Sequence, residues 1–231
     1  MKTQSTYSSS NSLLRSSVEG IFGGSLSIQF AGLTENKAYA LYKDIIKELS
    51  ALEKIFDASR PDSEVSVLNA SKVDIETSSE MKGALNLCES YLIKTQGLFN
   101  VSKGDDDHLD FGGFVKGYAM QRMAAMLKKG KVKDAFLNFS DSVLYAVGNQ
   151  PYCEGWSYTL ENKETDEELQ EFCLRNESMG ISLCDGRLCC VRASDPLEAK
   201  ILSLVLPKAS DSVRREMSFS FKSMDDTCFE L

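Results

Sequence analysis

Leu109-Asp110-Phe111-Gly112-Gly113-Phe114-Val115-Lys116-Gly117-Tyr118-Ala119 is the stretch on which the fold of this chain is decided. Its two consecutive glycines stand directly before a helix-compatible run. Glycine permits a tight turn and close approach of a ligand to the backbone, and the free N–H groups at the start of the following helix attract anions such as a diphosphate. Lys116, one turn in, adds a mobile positive charge, and Asp110, before the turn, can accept hydrogen bonds from a ribose or a ring N–H. Together these residues describe a nucleotide cradle. Spacing alone describes equally well a plain tight turn followed by a solvated lysine, because a single glycine-rich turn has little specificity.

Working outward, the helix opened by this turn runs from about Gly113 to Lys129 and closes at Gly130. Upstream, Ala38, Leu41, Ile45, Leu49, Leu52 and Phe56 recur every three or four residues, the pattern of a long amphipathic helix over 35–56. A further helix is predicted over 79–95, with Gly97 as its stop signal, and the Ser-Arg-Pro-Asp run at 59–62 is a loop. Leu26, Ile28 and Phe30 alternate with polar residues, as a half-buried strand requires. Downstream, 134–139 and 143–147 read as strands joined by Ser140-Asp141-Ser142. Trp156, Tyr158 and Leu160 mark another strand, and 187–193 one more. Asp195-Pro196 starts a helix to about Leu206, and Met217, Phe219 and Phe221 alternate. The acidic run 161–171 reads as a solvated loop or surface helix. The mixed order of strands and helices, without a repeat, predicts an α+β fold. Residues 1–17 read as a flexible serine-rich tail and 18–231 as the domain.

Composition narrows the function classes. Hydrophobic residues make up 42% and charged residues 26%, the balance of a globular protein. The net charge of −8 disfavours nucleic acid as a partner, since phosphate binding needs a basic field. No apolar run is long enough to span a membrane, and the first residues lack the apolar core of a secretory signal, so the cytoplasm is the expected compartment. Seven cysteines without CxxC spacing and one histidine, His108, disfavour both a zinc site and a disulfide framework; reduced thiols are expected. Asp105-Asp106-Asp107 reads as a solvated acidic run.

LDFGGFVKGYA resembles the DxGGxxKGYA motif of the FAD:protein FMN transferase (ApbE-like) family. Three further segments resemble that family's motifs in the same order: Pro61 to Asn69 (its "pdSexsxlN" loop), Gly97-Leu98-Phe99-Asn100 ("GxFD") and Phe136 to Phe139 ("nlG"). Gly20 to Gly24 takes the place of its N-terminal "MGT" strand. The similarity extends over about 18–205. It implies a T-fold-like α+β unit of mixed or antiparallel sheet with packed helices. It also implies FAD as substrate or ligand, magnesium, and transfer of FMN from FAD to a Ser or Thr of an acceptor protein. Carried over, Asp110, Gly112 and Lys116 contact FAD, Lys116 is the catalytic cation, and the Gly113 carbonyl faces the metal if one binds. Leu98, Phe99 and Asn100 line the flavin pocket, and Phe22 flanks the ring.

The departures from the pattern bear on the chemistry. Ser59 stands where the family places a stacking aromatic, and no histidine precedes a later "DP" segment. Most important, the family's last motif, "aDxxxT" on a helix, gives the metal an acidic residue and a threonine. Lys200 and Leu204 occupy those positions here, and neither is an oxygen ligand for a hard cation. A shifted register would bring in Glu198 or Ser203. The resemblance thus leaves open an active transferase, a transferase with reduced or no activity, and a non-catalytic flavin-binding or protein-interaction module.

Overall fold

Strand patterning in the sequence is set by which face of each strand meets a helix. The computed structural model describes residues 1–71, 75–103 and 108–230. Its strands are β1 (Lys2–Ser8), β2 (Leu13–Ile21), β3 (Gly24–Ala31), β4 (Ser102–Lys103), β5 (His108–Leu109) and β6 (Asp134–Phe139). They continue with β7 (Val143–Val147), β8 (Trp156–Asn162), β9 (Glu167–Leu174), β10 (Glu177–Cys184), β11 (Arg187–Ala193) and β12 (Asp226–Glu230). Its α-helices are α1 (Glu35–Phe56), α2 (Glu64–Ala70), α3 (Ser79–Lys94), α4 (Val115–Lys129), α5 (Pro196–Val205) and α6 (Asp211–Met217).

Eight strands form one sheet in the order β1-β2-β3-β6-β7-β10-β11-β12, and each neighbouring pair is antiparallel. Period-two alternation splits β6 between two cores. Ala135, Leu137 and Phe139 join Leu26, Ile28 and Phe30 under the helices, while Phe136 faces the other way against Trp156, Leu160, Phe172 and Leu174 of the β8–β9 hairpin. The result is helices on one face, sheet in the middle and a hairpin on the other face. Gly180 in β10 brings α5 onto the sheet at backbone contact, since any Cβ there would overlap the Ala199 carbonyl.

Several expectations are corrected. The serine-rich start is no flexible tail: β1 pairs with β2 along seven residues, so its backbone donors and acceptors enter the sheet although its side chains stay largely exposed. Pro61 to Asn69 is no loop beyond Ser63; the Ser63 hydroxyl accepts the Ser66 N–H and starts α2. The acidic run is largely strand: Glu167, Glu168 and Glu171 face solvent from β9, while Phe172 and Leu174 are buried. Met217 ends α6, and Phe219 is exposed, so the 217–221 alternation marks no strand. Cys189 and Cys228, opposite one another on β11 and β12, form a disulfide; Cys88, Cys153, Cys173, Cys184 and Cys190 are free. Asp105, Asp106 and Asp107 lie outside the described residues. Among those described, no helix is long and apolar enough to cross a membrane.

Candidate functional site

The glycine turn is held from three sides. Asn69, near the end of α2, clamps the strand entering it: its Oδ1 accepts the Leu109 N–H at 2.8 Å and its Nδ2 donates to the Leu109 carbonyl at 2.9 Å. Asp110 donates its N–H to Val101 O at 2.7 Å, and its Oδ1 accepts the Gly112 N–H at 2.9 Å. That bond satisfies one of the N–H groups at the turn, and the second carboxylate oxygen has no hydrogen bond among the described residues. Behind the turn, Phe111 packs on Phe56 and Phe114 packs on Tyr118, each with ring centroids 5.0 Å apart. Phe99 belongs to this aromatic cluster, 6.4 Å from Phe114, and supports the turn from the core. Leu98 is exposed, and Asn100 accepts the Ser102 N–H.

Lys116 leaves the first turn of α4 toward the β6–β7 connection. Its Nζ lies 5.9 Å from the centre of the Phe139 ring, and Phe22 packs on the same ring at 6.4 Å. Phe22 is held in a left-handed conformation (φ 45°) by its N–H bond to the buried Glu53 carboxylate. Gly24 leaves the space that Lys116 uses: a Cβ there would stand 3.4 Å from Nζ and would overlap Ser140 Oγ. Lys116 has no ion pair or hydrogen bond among the described residues. Its partial burial, and then the nearby Lys163, push its pKa below the ordinary lysine value.

Lys200 and Leu204, four residues apart on α5, come to the same place. A Cβ on Gly117 would lie 2.9 Å from Lys200 Cβ, and one on Gly113 would lie 3.0 Å from Leu204 Cδ1. The Lys200 side chain is buried, and its ammonium donates to Ile181 O and to Ser182 Oγ, each at 2.8 Å. Ser203 spends its proton on the Lys200 carbonyl, so the Ser182 hydroxyl donates to Ser203 Oγ at 2.7 Å. Burial first, then repulsion from Lys116, pushes the Lys200 pKa down to about 8. Glu198, the alternative in a shifted register, has its pKa raised by burial first and then by Asp195, with Lys94 and Lys222 acting in the opposite direction.

Lys200 and Leu204 line a cavity of about 430 Å³ at the end of the sheet, together with Ser140, Tyr158, Lys163 and Ser182. Asp141, also in its wall, accepts bonds from Asn138, Tyr158 and Lys163. Burial alone would raise its pKa, but those donors bring it below the usual carboxylate value. Trp156, by contrast, stacks on Phe136 and donates to Val147 O, and is core. Asn69 was legible only as a motif residue without a role. Ser182 had no signal, because β10 has buried residues on both faces and so no alternation.

A magnesium site does not fit these residues. Beside Gly113 stands a leucine methyl, beside Gly117 a lysine, and no group of three or more His, Cys, Asp or Glu among the described residues could hold a metal ion.

The ApbE family model matches residues 22–105 and 101–182, more than half of the chain. No curated protein matches it significantly in sequence. Among solved structures, the flavin transferase ApbE from Vibrio cholerae superposes with a TM-score of 0.75 at 12% identity, covering 95% of this chain and 97% of that one. The apo flavinyl transferase ApbE of Pseudomonas stutzeri gives 0.71 at 14%, covering 95% and 88%. The ApbE protein of Thermotoga maritima gives 0.71 at 14%, covering 97% and 93%. These likenesses show the α+β fold, and with the family match over the segment that carries the glycine turn they place the chain in the ApbE family.

Proposed function

We propose that this chain binds FAD at the glycine turn and acts as an FAD:protein FMN transferase. The acceptor is a Ser or Thr hydroxyl of another protein. The hydroxyl oxygen bonds to the phosphorus on the FMN side, the bond between that phosphorus and the bridging oxygen breaks, AMP leaves, and the hydroxyl proton passes to solvent. The observation that carries this reading is that one family motif holds Asp110, Gly112, Gly113 and Lys116, that Lys116 and Phe22 both approach the Phe139 ring, and that Leu204 beside Gly113 lines a cavity whose wall holds a second cation, Lys200. Lys116 neutralises charge on the diphosphate. Phe22 and the 98–100 segment are the proposed flavin-side contacts, with Phe99 acting from the core. The cytoplasm remains the proposed compartment, and residues 18–231 the proposed catalytic domain, with β1 as its outer edge strand.

One observation favours a second reading, flavin binding without transfer: Leu204 and Lys200 in place of oxygen ligands remove the Lewis acid that would polarise the leaving group. The experiment is a visible absorbance spectrum of the purified protein with FAD, followed by chromatography for AMP after addition of a candidate acceptor. Bound flavin with AMP release is expected. Bound flavin without AMP would select the second reading, and no bound flavin would remove both.

A further inference from the structure

We infer that Lys116 and Lys200 form a metal-independent seat for the diphosphate of the bound dinucleotide, with Lys200 as a fixed cation in place of a divalent ion. The inference rests on the proposed flavin reading and specifies how its anionic part is held.

Lys116 reaches Ser140, and Lys200 lines the same cavity wall as Ser140; neither lysine pairs with a carboxylate among the described residues. The nearby carboxylate of Asp141 is already occupied by Asn138, Tyr158 and Lys163. Lys200 is buried with only neutral acceptors, Ile181 O and Ser182 Oγ, which leaves one of its three N–H groups without a partner among the described residues. A buried charge without a counter-ion is a high-energy arrangement that an entering anion relieves. Mutual repulsion between Lys116 and Lys200 works in the same direction, since a doubly charged diphosphate removes it. The Ser182–Ser203 hydroxyl chain fixes the ammonium, while Lys116, tethered only by the Phe139 ring face, can follow the ligand. Leu204 against Gly113 closes the position an oxygen ligand would need.

The test is titration with FAD, ADP and riboflavin, in EDTA and in magnesium chloride. FAD affinity is expected to agree within about twofold in the two buffers; binding lost in EDTA and restored by magnesium would overturn the inference. Lys200→Met is expected to weaken FAD and ADP by about tenfold or more, and to leave riboflavin, which has no phosphate, unchanged. Unchanged FAD affinity would overturn it. Should Lys200→Met fail to fold, Lys116→Met on a half-exposed position carries the same expectation and the same overturning result. ADP separates this inference from the flavin reading. Lysine-dependent ADP binding with no binding of FAD or riboflavin supports the seat and removes the flavin assignment. Flavin binding indifferent to both lysines removes the seat and keeps the assignment.

Discussion

The first turn of α4 and the middle of α5 each deliver a lysine to the same end of the sheet, yet the two side chains are held in opposite ways. Lys116 is half-buried, without a hydrogen bond among the described residues, and rests over the Phe139 ring. Lys200 is buried, with two hydrogen bonds, and a serine pair fixes one of its acceptors. A charge on a free stem adapts to a ligand at an entropic cost. A charge locked before the ligand arrives is preorganised, and its cost is carried by the folded state. The contrast teaches that two residues of the same type at one end of a sheet can be held in opposite ways, and on the proposed reading the pair divides capture from fixed electrostatics.

The largest effect should come from moving α5 away from the sheet. A Cβ at position 180 would overlap the Ala199 carbonyl, and backbone cannot step aside as a side-chain tip can. Gly180→Ala is therefore expected to destabilise by about 3 kcal/mol, read as a lowered urea midpoint. An unchanged midpoint would mean that α5 does not lie on β10 at backbone contact.

A smaller effect of opposite sign is expected from Lys200→Met. The parent's Lys200 pKa is about 8 when folded against an ordinary 10.5, so between those values the unfolded chain binds more protons and parent stability rises with pH. The penalty of burying the ammonium is thus fully present below pH 8 and relieved by about pH 10.5. Removing the ammonium should stabilise the protein at pH 7 by about 1–2 kcal/mol, after allowing for the two lost hydrogen bonds, and the gain should vanish toward pH 10.5. Lys116 from α4 and Cys184 from β10 face Lys200, so the difference between the two urea curves reports Lys200 together with its coupling to them. A variant less stable at pH 7, or a gain that grows with pH, would break the comparison.

The smallest effect belongs to Lys116→Ala. With no ion pair or hydrogen bond among the described residues to lose, its stability should stay within about 0.5 kcal/mol of the parent in a thermal melt. A large loss would mean that Lys116 is as deeply built into the fold as Lys200.

Legibility followed the amount of local information. The helix over about 35–56 and the strand over 187–193 agree with the structure, because a long amphipathic stripe carries its own period and a short apolar run between Asp185-Gly186 and Ser194-Asp195-Pro196 carries its own ends. β1 escaped because an exposed edge strand is held mainly by its backbone ladder, which serine-rich composition does not reveal. β10 escaped because burial on both faces erases alternation. At the site, the glycine turn, Lys116 and the displaced Lys200–Leu204 pair were all visible as motif positions, whereas the clamp of Asn69 on Leu109 and the support of Lys200 by Ser182 were not.

By itself, then, the amino-acid sequence determined the α+β class, the main helices, the turn that opens α4 and the charge types near it, since each depends on residues a few positions apart. Only the tertiary structure decided that Lys116 and Lys200 share one end of the sheet, that Leu204 rests on Gly113, and that Cys189 meets Cys228. Those contacts join residues tens of positions apart, through a strand order with crossovers, and no local period encodes which distant strands become neighbours.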